Sequence, residues 1–133
     1  MSSEKLREEF ISLLKAEFPA VRYRPSKLKS GNIRISPYVP NQMKNKRWMQ
    51  LDANHGYLSI AMDHVIGDIT KDDLINLNLQ YGLNGINSAV QLQKNADAVN
   101  LSIFMHEPYD FSNNQFLQFL HKHYNSYLNL VGK

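Results

Sequence analysis

Apolar positions recur at three- and four-residue steps from the start of the chain: Leu6, Phe10, Leu13, Leu14 and Phe18 follow Ser2 and Ser3. That spacing predicts an amphipathic helix with a serine cap, closed at or just before Pro19. The pattern then breaks at Pro25, Pro37 and Pro40, leaving "NIRIS" as a short strand with Ile33 and Ile35 on one face and Arg34 on the other. Next, "KRWMQLDA" and "YLSIAMDHV" flank "NHG", whose Asn and Gly tolerate a positive φ, so the two runs read as a hairpin. Alternation sets Met49, Leu51 and Ala53 on one face of its first strand and Leu58, Ile60 and Met62 on one face of its second.

In the second half, Thr70 stands three residues before Asp73, and Ile69 is placed to staple against Leu74, which opens a second helix with the stripe Leu74, Leu77 and Tyr81. Gly82 or Gly85 stops it. A further hairpin pairs "INSAVQLQ" with "AVNLSIFMH" across "KNAD", and Val99, Leu101, Ile103 and Met105 alternate along it. The last helix is announced by Ser112 as cap, Gln115 three residues on, and Phe111 placed against Phe116; its apolar face is Phe116, Leu120, Tyr124, Tyr127 and Val131. The order helix, three strands, helix, two or more strands, helix predicts an α+β fold, an antiparallel sheet with helices packed against it.

At 133 residues and 43% hydrophobic content, the chain suits one domain over 1–133. Without cysteine it holds no disulfide, thiolate metal site or cysteine nucleophile. "MSSEKLREEF" puts charge where an export signal needs an apolar core, and no apolar run approaches the roughly 20 residues of a membrane span, so a soluble cytoplasmic protein without membrane insertion is expected. The net charge of +3 is unevenly spread. Residues 1–50 hold eleven basic and four acidic groups, near +7, and residues 51–133 four basic and eight acidic, near −4. Such polarity attracts phosphate or an acidic partner, and equally makes two copies complementary.

Candidate chemistry is sparse. His121 and His123 lie about 200° apart around a helix, a poor metal pair, and read as a solvated pair. Asp68, Asp72 and Asp73 stand where a helix start favours acids, without the spacing of a calcium loop. Asp63 and His64 are neighbours on a strand and point to opposite faces. "GLNG" is a turn, not a phosphate-binding loop. The expectation is a protein that is not an enzyme and uses no cofactor or metal.

Residues 22–48 hold eight Lys or Arg and no acid. Tyr23, Tyr38 and Trp48 interleave with Arg22, Arg24, Lys27, Lys29, Arg34, Lys44, Lys46 and Arg47, an arrangement suited to stacking bases and contacting phosphates along a single strand. The competing reading packs the aromatics under a sheet edge and leaves the basic heads in water.

The order of elements, with the segments "YLSIAMDHVIGDITKDDLINLNLQYG" and "AVQLQKNADAVNLSIFMHEPYDFSNNQFLQFLHKHYNSYL", resembles the class I chaperones of type III secretion. The related sensory-transduction-regulator-like proteins share that fold. The resemblance implies a homodimer that binds an extended segment of a secreted effector on exposed apolar patches and hydrolyses no nucleotide. It further implies a dimer contact at Leu74, Leu77 and Tyr81, and a client lying against Leu6, Phe10, Ile33, Ile35 and Met49, with the basic run, including Trp48, at its edge. These chaperones are usually acidic; a pI near 9.1 points instead to an acidic client, with nucleic acid as the alternative partner.

Overall fold

The computed structural model describes residues 2–75, 77, 89–92 and 100–132, with backbone alone at 75 and 89–92. The elements run α1 (Ser3–Glu17), β1 (Arg22–Lys27), β2 (Ile33–Tyr38), β3 (Met49–Asn54), β4 (Tyr57–Asp63), α2 (Lys71–Ile75), β5 (Ala89–Leu92), β6 (Asn100–Met105) and α3 (Asn114–Val131). They form one antiparallel six-stranded sheet in the order β1-β2-β3-β4-β6-β5, an α+β fold. The expectations for Tyr81, Gly82, Gly85, Val99 and the "KNAD" turn lie outside the described residues.

The register explains which side of the sheet is covered. Ile35 is opposite Leu51, Leu51 opposite Ile60, and Ile60 opposite Ile103, so these side chains share one face. That face joins Leu6, Phe10 and Leu14 of α1 and Phe116, Leu120 and Tyr127 of α3 in a single core. Phe10 bridges the layers, its ring 4.9 Å from Phe111 and 6.0 Å from Phe116. Each such aromatic contributes on the order of 1.5–3 kcal/mol by leaving water. The opposite face carries Arg24, Arg34, Gln50, Asp52, Ser59 and Ala61, none of which belongs to the core.

One strand is more than the hydrophobic pattern gives. β1 reads "RYRPSK" and contains Pro25, which argues against a strand wherever a ladder hydrogen bond is needed. The Leu28 N–H donates to the Asn32 carbonyl at 2.8 Å, and by alternation residues 22, 24 and 26 also turn their backbone groups toward β2. Pro25 therefore points outward, at the edge of the sheet, where its missing N–H costs no pairing.

Pro37 has the reverse effect. It faces β3 and has no proton to give. Here the register slips by one, from Ile35 opposite Leu51 to Tyr38 opposite Arg47, and the Pro37 carbonyl accepts from Trp48 N–H at 2.7 Å. Without that extra residue Trp48 and Met49 would point to opposite faces; with it, both are fully buried.

Helix ends follow the expected chemistry with one shift. Ser2 accepts from Lys5 N–H, and Asp73 accepts from Thr70 N–H at 2.9 Å, half of the anticipated capping box. At α3 the cap is Asn113, which accepts from Phe116 N–H at 2.9 Å, while Ser112 bonds Asp110 instead. The Phe111–Phe116 contact is present at 5.6 Å. Among the described residues, no helix is long and apolar enough to cross a membrane.

Candidate functional site

The basic run divides into two groups. Nearer the sheet centre, Arg34 grips Asp52 through two hydrogen bonds of 2.8 Å, and that pairing holds its guanidinium above its usual pKa. Lys46 and Arg47 both approach Asp63, at 3.3 and 3.6 Å. Gln50, with its amide oxygen toward the guanidiniums, accepts from Arg47 Nε and Arg34 Nη1. These cations are largely neutralised by carboxylates on the same face.

At the edge, Arg22, Arg24, Lys27 and Lys29 on or beside β1, and Lys44 in the loop before β3, are exposed and have no acidic partner among the described residues. Arg24 lies over the Tyr38 ring at 4.7 Å and donates to the Asn45 carbonyl at 3.3 Å, which ties the edge strand to that loop.

The loop from Val39 to Trp48 is held from within. The Asn41 side chain donates to the Val39 and Lys46 carbonyls at 2.7 and 3.1 Å, and its oxygen accepts from the Met43 and Lys46 amides. Beneath it the Tyr127 hydroxyl of α3 accepts from Val39 N–H at 3.0 Å and donates to the Lys46 carbonyl at 2.6 Å. Burial raises the Tyr127 pKa and keeps the phenol protonated. Lys44 and Asn45 have φ of 56° and 54°, two successive residues other than glycine in the left-handed region. Met43 at the tip is 48% exposed.

Several expected contact residues are occupied inside the chain. Leu6, Phe10, Trp48 and Met49 are buried in its own core, and so are Leu74 and Leu77. Being buried, they offer no surface to a client or a second copy; spacing alone does not separate a stripe that fills the core from one that faces a partner. Tyr81 lies outside the described residues. Ile35 is partly buried against the core, and Ile33, at 43% exposed, is open to solvent. Tyr23 packs on the core beneath Lys15, with its phenol pushed up to about 12 by burial. Of the three interleaved aromatics, none is left as a bare stacking platform.

The histidine expectation is corrected. His121 is exposed beside Glu17, but His123 is fully buried, and its Nδ1 accepts from Trp48 Nε1 at 2.9 Å. Burial pushes the His123 imidazole down to about 3, and the neighbouring His64 ring, 5.7 Å away, acts in the same direction. The signal was in the sequence: His123 lies seven residues after Phe116 and four before Tyr127, inside the apolar stripe. Asp63 and His64 do point apart, one to the cations of the open face and the other into the core.

The hollow between α2 and α3 contains Asp73 and Lys122, but these pair with each other at 2.9 Å. No cluster of three or more potential metal ligands occurs among the described residues. No family description, curated protein or solved structure matches this chain.

Proposed function

We propose that this chain is a non-catalytic binding protein that holds an acidic, extended segment of a partner protein against the basic end of its sheet, in the manner of a secretion chaperone. The observation that carries this reading is the separation of its cations. Those near the sheet centre are matched by Asp52 and Asp63, whereas Arg22, Arg24, Lys27 and Lys44 collect at one edge with no carboxylate paired to them among the described residues. Unmatched charge at an edge favours an acidic partner and speeds its encounter. Buried Trp48 is not available to stack bases, and Tyr38 is covered by Arg24, so a polypeptide fits better than a nucleic acid. A homodimer, if that is the working form, uses side chains other than Leu74 and Leu77.

The test compares wild type with the triple variant Arg22→Gln, Lys27→Gln, Lys44→Gln, titrated against a labelled Glu-rich peptide and against oligothymidine. The peptide should bind, weaken with salt, and lose about tenfold in affinity in the variant. Tight binding of oligothymidine together with indifference to the peptide would overturn the reading.

A further inference from the structure

The loop between β2 and β3 has more structure than a connection requires. Two successive residues other than glycine, Lys44 and Asn45, adopt positive φ, which asparagine tolerates but which costs about 1 kcal/mol or more at Lys44. The surrounding hydrogen bonds hold them there: Asn41 ties the loop's two ends, the Tyr127 hydroxyl anchors both ends to α3, and Arg24 fastens Asn45 to the edge strand. What this framework presents to solvent is one large apolar side chain, Met43, beside Lys44. A connection selected only to join two strands has no need to hold a strained backbone and expose a methionine at its tip.

We infer that the Val39–Trp48 loop is a preformed recognition hook for an acidic peptide segment, in which Met43 packs on one apolar residue of the partner while Lys44 and Arg24 meet the carboxylates flanking it. This rests on the binding reading above and specifies its ligand: an apolar residue set between acids, not acidity alone. Methionine suits the role because its unbranched thioether adapts to side chains of different shape. The fixed loop lowers the ordering cost of binding, which a flexible basic loop would have to meet at each encounter. Charge complementarity selects the occupant, since Lys44 and Arg24 have no acid against them among the described residues, whereas Lys46 and Arg47 of the same loop are taken by Asp63.

The experiment selects random phage-displayed peptides on three forms of the intact chain: wild type, Met43→Ser, and the triple variant at Arg22, Lys27 and Lys44. Enriched peptides are then synthesised and titrated. Wild type should enrich peptides with an apolar residue between Asp or Glu. Those peptides should lose about tenfold in affinity for Met43→Ser, the effect of removing one partly buried methionine side chain. Met43 is on the surface, so the variant should melt like wild type. Asn41→Ala, which keeps Met43 but frees the loop, should also weaken the same peptides, chiefly in binding entropy. If acidic peptides are enriched with no preferred apolar position and bind Met43→Ser as well as wild type, the hook is wrong and the broader binding reading stands. If no acidic peptide is enriched, both fall.

Discussion

His123 shows how one buried side chain couples the core to pH. Its Nδ1 must be unprotonated to accept from the Trp48 indole, and burial holds its pKa near 3, below the unfolded value of 6.5. The folded value is the depressed one, so the stabilisation is fully present above about pH 6.5 and is lost as pH falls toward 3. A difference of that size amounts to roughly 4–5 kcal/mol. Urea denaturation at stepped pH, followed by the fluorescence of the single tryptophan, should show stability falling steadily through this window. His123→Leu should be less stable than wild type at neutral pH, since it strands the buried Trp48 N–H at a cost of about 1–3 kcal/mol. Its acid slope between pH 6.5 and 4 should be much flatter. An unchanged slope would show that other groups control the acid response.

At the scale of elements, the caps and edges make separate predictions. Asn113→Ala removes the side chain that accepts from Phe116 N–H and should cost about 1 kcal/mol, measured by thermal melting, whereas Ser112→Ala should cost clearly less. Pro25→Thr restores an outward N–H to the middle of β1, and should change stability little while increasing concentration-dependent association, read by light scattering. α1, α3 and the β3–β4 hairpin were legible because period, start signals and a two-residue turn at His55 and Gly56 agree with one another; α2 is helical over Lys71–Ile75, while Leu77, expected on its stripe, lies in a turn. β1 was not, because the effect of Pro25 depends on which way its nitrogen faces, a property of the register and not of the residue. The site was half legible. The cations declared themselves in composition, but their division into matched and unmatched groups depends on Asp52 and Asp63, whose approach to Arg34, Lys46 and Arg47 only the folded sheet provides.

For the whole molecule, the burial of Leu77 changes what a charge there would do. The resemblance implied a surface for a second copy, so Leu77→Glu would have separated two subunits. With the side chain fully enclosed, the same substitution should unfold the chain, costing on the order of 3–5 kcal/mol, visible as a large fall in melting temperature. Self-association is better probed by sedimentation of the unaltered chain. The tether from Tyr127 has a consequence of another kind, for proton exchange with solvent. The amides of Val39, Met43, Lys46 and Trp48 each have an acceptor, and that of Val39 is the hydroxyl of a residue on a helix distant in sequence. Those of Gln42 and Lys44 have none among the described residues. In deuterated buffer the loop should therefore label as a comb, with Gln42 and Lys44 exchanging at once. Val39 should exchange no faster than α3 leaves the sheet, and in Tyr127→Phe its proton should be lost early while those of α3 are still retained.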